Sequence, residues 1–275
     1  MALGTGKTLT VIMPVFNEAR TFETTLKKVL GQKCLWMRKE IIIVESNSTD
    51  GTRETVLKYV TGKPKSVHLR DAGIKGPGPT LRVYKGKRIG GNTIRVILEH
   101  RPQGKGHALK CGFQEATGDV IIIQDGDTEY RTSEYPRLVK PILQGKTDFV
   151  LGSRHARGST WKIREMNETF TAHLINLGHW TYTTLFNILY GVRLTDPATM
   201  FKVFRRDAAQ GIHWVSNWFE LDWEIVAKLI RAGHRPIEIP VSYESRSTAE
   251  GKKIRFFRDG TLVLWAILSF RFRGL

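Results

Sequence analysis

The residues best equipped for chemistry are Asp125, Asp127 and Glu129, in the stretch VIIIQDGDTEY over residues 120–130. Carboxylates at alternate positions project to one side of an extended backbone, provided strand geometry persists that far. Grouped carboxylates repel one another, so a cation is expected between them. Hard oxygen donors suit a divalent ion such as Mg²⁺ or Mn²⁺. Asp-Gly is also a common turn former, so the tripeptide alone leaves a plain turn open. A second acidic group, Glu220, Asp222 and Glu224 in FELDWE, falls on a helix expected over 219–232 and offers candidates for a general base. Asp222 reads equally well as a capping or solvated residue. Lys105, in GKGHAL at a helix start, can meet a phosphate together with backbone N–H groups. The plain alternative is a solvated surface lysine.

Elements of definite type are needed to hold these groups. Four consecutive β-branched apolar residues, 120–123, predict a strand buried on both faces that breaks into carboxylates at its C-terminal end. Short apolar strands are also predicted over 9–13, 40–45, 93–99 and 149–152, alternating with helices over 21–30, 52–59, 107–115 and 135–143. Such alternation implies right-handed βαβ units, a parallel sheet, and a ligand edge at the strands' C-terminal ends. The basic, Gly- and Pro-rich stretch 61–92 lacks apolar periodicity and reads as an irregular insertion, with a short hairpin around 81–84. Residues 163–190 form a long aromatic amphipathic stretch, most of whose rings suit a helical core. Residues 196–204 re-enter the sheet, and 235–244 form a last strand. The chain reads as one domain over 1–260 followed by an apolar and basic segment, 261–275.

Composition narrows the partners. The 275 residues carry 43 Lys and Arg against 26 Asp and Glu, a net +17. That excess favours anionic partners without specifying a fold. It would permit weak, salt-sensitive nucleic-acid binding, but no recognition motif accompanies it, and no specific nucleic acid is expected. Cys34 and Cys111 lack metal-ligand spacing and read as free thiols in a reducing cytoplasm. GTGKT near the start precedes a strand where a phosphate-binding loop would follow one, so it is rejected as such a loop. No stretch reaches the length of a membrane span. Residues 262–272 suit either an interfacial helix with cationic edges or a helix packed on the sheet.

In order along the chain, PVFNEA, VESNSTDGT, GKGHAL and QDGDTEY resemble the inverting GT-A glycosyltransferases of family 2. VLGSR, LTDPATMFKVFRR and PVSYESRSTAEGKKI resemble its branch of dolichyl-phosphate mannose synthases and bacterial polyprenyl-phosphate transferases. The likeness covers roughly residues 9–260 without 61–92. It implies a Rossmann-like α/β fold with a mostly parallel central sheet, helices on both faces and a C-terminal amphipathic helix. It also implies metal-dependent sugar transfer from a GDP- or UDP-linked donor to a lipid phosphate, by a protein peripheral to the inner, cytoplasmic face of the cell membrane.

Residue roles follow from the same likeness. Asp127 is the expected metal ligand and Glu129 a further one, with Asp125 on the ribose or reaching the metal through water. Pro14, Phe16, Asn17 and Glu18 are expected along the nucleoside, and Lys105 at the phosphates. Glu45 is expected near the base or ribose, although the family more often has Asp-Asp where this chain has Glu45-Ser46. Arg154, Arg164, Arg246, Lys252 and Lys253 are expected at the acceptor phosphate. Were the acceptor a sugar or small-molecule hydroxyl instead, Asp222 or Glu220 would serve as base. A sugar nucleotidyltransferase would need a glycine-rich N-terminal loop, which PVFNEA is not.

Overall fold

The computed structural model describes residues 4–69, 80–155, 170–244 and 256–273. Strands β1 (Thr8–Val15), β2 (Arg38–Glu45), β3 (Val60–His68), β4 (Thr80–Ile89), β5 (Asn92–Leu98), β6 (Val120–Ile123), β7 (Phe149–Ser153), β8 (Lys202–Arg205) and β9 (Ile237–Pro240) join one sheet. Their order across it is β3-β4-β5-β2-β1-β6-β8-β7-β9. β5, β2, β1 and β6 pair in parallel, as do β7 and β9, while β4 and β8 run against their neighbours. All of β6, and β1 from Leu9 onward, are buried at successive positions. Since successive side chains face opposite sides, both faces of the sheet centre are covered.

The helices are α1 (Phe22–Gly31), α2 (Thr52–Leu57), α3 (Lys105–Glu115), α4 (Tyr135–Leu143), α5 (Phe170–Tyr190), α6 (Leu221–Arg231) and α7 (Phe256–Phe272). α3 packs on β1 and β2, and α4 on β7 and β8. α7 lies against α5 and α6. It buries Val263, Ala266, Ile267 and Phe270 and exposes Leu264, Trp265, Leu268 and Phe272. The segment packs as a helix, on α5 and α6 where the sheet was expected.

Residues 60–89 differ from expectation. Where an irregular insertion was predicted, β3 and β4 extend the sheet beyond β5 as an antiparallel meander. β3 is exposed at almost every position, and its register breaks between Thr61 and Lys65, around Pro64. An edge strand with one free side tolerates proline and lysine that a central strand would not, so it carries no apolar alternation to read. GTGKT leads directly into β1, and both cysteines are buried and free.

α3 sits so close to β1 that a Cβ on Gly112 would meet Ile12 Cγ2 at 2.4 Å. Gly112→Val should therefore destabilise the fold by about 1–3 kcal/mol through overpacking, read as a lowered urea midpoint with an unchanged m-value.

Candidate active site

The C-terminal ends of β1, β2, β6 and β7 open on a cavity of about 760 Å³. Asp125, Asp127 and Glu129 all line it, but not by strand alternation. The ladder stops at Ile123, and the chain then turns. What fixes the turn is α1 and the segment leading into it. Thr25 Oγ1 donates to the Asp127 carbonyl at 2.7 Å, and Thr21 Oγ1 to the Gly126 carbonyl at 3.2 Å. The Glu129 N–H closes back on Asp127 Oδ1 at 3.0 Å, as short Asp side chains do in turns. Tyr243 donates its hydroxyl to Glu129 Oε2 at 3.0 Å.

Lys105, at the first position of α3, places Nζ 3.0 Å from Asp125 Oδ2. Burial works against its charge, but the carboxylates of Asp125, Asp222 and Asp127 outweigh this and raise its pKa. The reverse holds for Asp125. Burial pushes its carboxyl up, Lys105 pulls it down, and Asp222 and Glu129 push it up again, for a net upward shift. Lys105 thus shares this carboxyl's surroundings with two further acids, Asp222 and Glu129. Hard carboxylate donors in mutual repulsion fit a Mg²⁺ or Mn²⁺ ion. Among the described residues, the clusters whose candidate ligand atoms all lie within 4.8 Å are elsewhere: Glu99, His107 and Cys111, and His155, His179 and Asp196.

Arg154 lines the cavity beyond β7. Its Nε and Nη2 each donate to Asp196 at 2.7 Å, its backbone N–H donates to the same carboxylate at 2.9 Å, and its guanidinium lies 5.3 Å from the centre of the Tyr243 ring. Burial opposes both charges, yet each partner overrides it for the other: Asp196 is held well below the usual carboxylate range and Arg154 well above its ordinary value. Two of five guanidinium N–H donors go to Asp196, and the other three are not spent on it. His179 approaches Asp196 at 3.7 Å. Burial pushes this imidazole down to about 3, so it is neutral.

Of the acids in FELDWE, Asp222 lines the cavity. Glu220 accepts the N–H groups of Asn217 and Trp218 at 3.1 and 3.2 Å, and Glu224 those of Val215 and Ser216 at 2.8 Å. Both shape the turn before α6 and neither lines the cavity. Asp222 pairs at 2.9 Å with Lys202 Nζ, whose side chain is fully buried and also reaches the Thr199 carbonyl. Burial lowers the pKa of Lys202, and Asp222 works against that.

The other expected contacts divide. Pro14, Phe16 and Glu18 line the cavity. Asn17 does not; its Oδ1 accepts the Thr49 N–H at 2.9 Å, tying the β1 loop to the β2 loop. Glu45 is wholly buried, accepting the Ser48 N–H at 2.6 Å with Arg53 at 3.2 Å. Its neighbour Ser46 reaches the cavity instead. At the start of α3 the His107 N–H is already committed to the Asn217 carbonyl at 3.0 Å, so this end of the helix offers one amide fewer to a phosphate. Arg164, Arg246, Lys252 and Lys253 lie outside the described residues.

Sequence reasoning missed Tyr130, Tyr243, Trp218, Phe219 and Arg258, all on the cavity wall. Arg258 stacks 4.4 Å from the centre of the Trp218 ring and pairs with Asp259 at 3.0 Å. It also missed Lys202, whose signal was a lone lysine opening the apolar run KVF.

A nine-stranded α/β sheet with an acidic turn after a central strand and paired cations around the same cavity defines a class of fold before it defines a protein. The chain belongs to glycosyl transferase family 2, whose description it matches over residues 10–82 and 79–212. It is 24% identical over 245 residues to a dolichol-phosphate mannosyltransferase of Pyrococcus furiosus, covering 89% of this chain and 58% of that one. It is 26% identical over 251 residues to the undecaprenyl-phosphate 4-deoxy-4-formamido-L-arabinose transferase of Aeromonas hydrophila, covering 90% and 63% respectively. The chain thus spans about three-fifths of the length of these relatives. In three dimensions it is similar to glucosyl-3-phosphoglycerate synthase of Mycobacterium tuberculosis, with a TM-score of 0.64 at 18% identity, covering 97% of this chain and 82% of the other. The shared fold is the GT-A fold.

Two predictions follow from the buried pairs. Asp222→Asn leaves the Lys202 charge buried and unpaired and should cost about 3–5 kcal/mol; the double variant Lys202→Met, Asp222→Leu should recover most of it in chemical denaturation. A His179 neutral down to about pH 3 binds no proton in the fold, while the unfolded chain takes one below about pH 6.5. Stability should therefore fall as pH drops through that window, and His179→Phe should flatten the slope of melting temperature against pH.

Proposed function

We propose that the chain transfers a sugar from a GDP- or UDP-linked donor to a polyprenyl phosphate, with inversion at the anomeric carbon. The observation that carries this reading is one cavity lined both by carboxylates, Asp125, Asp127 and Glu129, and by cations, Lys105, Arg154 and Arg258. The dolichol- and undecaprenyl-phosphate relatives support the acceptor class.

In this reading Pro14, Phe16, Glu18 and Ser46 flank the nucleoside. Asp125, Asp127 and Glu129 would hold Mg²⁺ or Mn²⁺, which when bound supplies Lewis-acid neutralisation of the departing diphosphate. Lys105 keeps the acidic wall from repelling that diphosphate and stays protonated beside it. Arg154, clamped by Asp196, holds the acceptor phosphate. One phosphate oxygen attacks the anomeric carbon, the bond from that carbon to the donor oxygen breaks, and its electron pair leaves on the nucleoside diphosphate. A phosphate is already an anion at neutral pH, so no base is needed. Asp222, committed to Lys202, then serves the charge balance of the cavity. A lipid-linked acceptor would bring the cavity to a membrane surface, in this reading the inner, cytoplasmic face.

The test is turnover of a panel of nucleotide sugars with a short, water-soluble prenyl phosphate, scored as glycolipid. Chelation should abolish activity and Mn²⁺ or Mg²⁺ restore it. Asp127→Ala should lower kcat by about 10²-fold or more, and Arg154→Ala should raise KM for the prenyl phosphate more than for the donor. Turnover with saccharide acceptors alone, abolished by Asp222→Asn in protein that remains folded, would replace this reading with hydroxyl transfer using Asp222 as base.

A further inference from the structure

Among the described residues, eleven large apolar side chains are exposed, and seven of them lie on two helices that touch: Leu177, Trp180 and Ile188 on α5, and Leu264, Trp265, Leu268 and Phe272 on α7. On α7, residues 264, 268 and 272 recur every fourth position. On α5, residues 177, 180 and 188 share a face in the same way. No described helix is long and apolar enough to cross a membrane. These rows are therefore the outer faces of packed helices.

Among the described residues, the charge on and just beyond these two helices is mostly positive. α5 has no charged residue in its 21. α7 has one carboxylate, Asp259, held by Arg258 beside the cavity. Five exposed arginines lie at or just beyond the C-terminal ends of α5, α6 and α7: Arg193, Arg231, Arg235, Arg271 and Arg273. Three of them are tethered to the helix ends. Arg231 donates to the Phe270 carbonyl, Arg271 to the Leu189 carbonyl at 2.6 Å, and Arg235 to the Gly191 carbonyl at 3.2 Å. Apolar rows with interfacial tryptophans and an arginine rim are complementary to an anionic lipid surface, which takes rings and aliphatic chains below its headgroups and cations among them.

We propose that the joint outer face of α5 and α7 docks on an anionic bilayer, with the arginine cluster among the headgroups. Arg258, on the first turn of α7, lines the cavity, and His179 on α5 touches Asp196, which clamps Arg154. Both helices therefore run from the cavity wall to the docking face. A lipid-borne phosphate would reach the cavity along them, and in this respect the proposal rests on the lipid-acceptor reading.

The test is sedimentation of the full chain with phosphatidylglycerol vesicles and with phosphatidylcholine vesicles. The unsubstituted protein should bind the former and not the latter. Trp180→Ser with Trp265→Ser should weaken binding about tenfold or more through lost apolar burial. Arg193→Glu with Arg273→Glu should do so independently through lost attraction. Both variants should keep wild-type melting temperatures and wild-type turnover of the water-soluble prenyl phosphate. Absence of binding to phosphatidylglycerol, or binding indifferent to both variants, overturns the docking face while turnover of the soluble acceptor leaves the catalytic reading standing. A dimer in solution that the tryptophan variant dissolves assigns the face to a second copy and also overturns it. Variant-sensitive binding without any glycolipid product keeps the docking face and rejects the catalytic reading.

Discussion

Acidic groups crowded at the end of a central strand are the constraint that the rest of the structure answers. Asp125, Asp127 and Asp222 line one cavity with Glu129, and burial first, then Asp222 and Glu129, push the Asp125 carboxyl up against the pull of Lys105. The protein's own reply is an alternation of charge, Lys202 on Asp222 and Lys105 on Asp125, with Lys105 feeling Asp222 as well. Buried ion pairs contribute little net stability and are costly to break. Their value here is that they fix where each sign stands. The sheet bears the cost, because strands buried on both faces hold the acidic turn rigidly against α1 and the preceding threonine, Thr21.

The same logic separates residues that face the cavity from residues that shape it. Glu45, Asn17, Glu220 and Glu224 are polar groups beside the site that spend themselves on loop N–H groups. Buried amides need such acceptors. Around an open cavity the loops cannot obtain them from a regular ladder, so side chains supply them.

This division explains what could be read from the chain. α4 was predicted with its observed bounds, and β1, β2, β5, β6 and β7 within a few residues, because their apolar runs record burial directly. β3 was missed because an edge strand need not bury anything. The acidic trio was legible as a cluster because its members stand two residues apart, and Lys105 was legible as a cation at a helix start but not as the partner of Asp125, 20 residues away. Arg154 was legible as a cation but not as one clamped by Asp196, 42 residues away. Asp222 was legible as an acid but not as the partner of Lys202. Such pairings are made by sheet topology, and a one-dimensional pattern does not encode them.

Strand β8 runs backward between β6 and β7, so its beginning, not its end, meets the cavity. The chain arrives there straight from α5, across the few residues between Tyr190 and Asp196, and α5 also touches Asp196 through His179. The reversal of β8 thus brings α5, through His179, and the residue that follows β7, Arg154, to one carboxylate, Asp196.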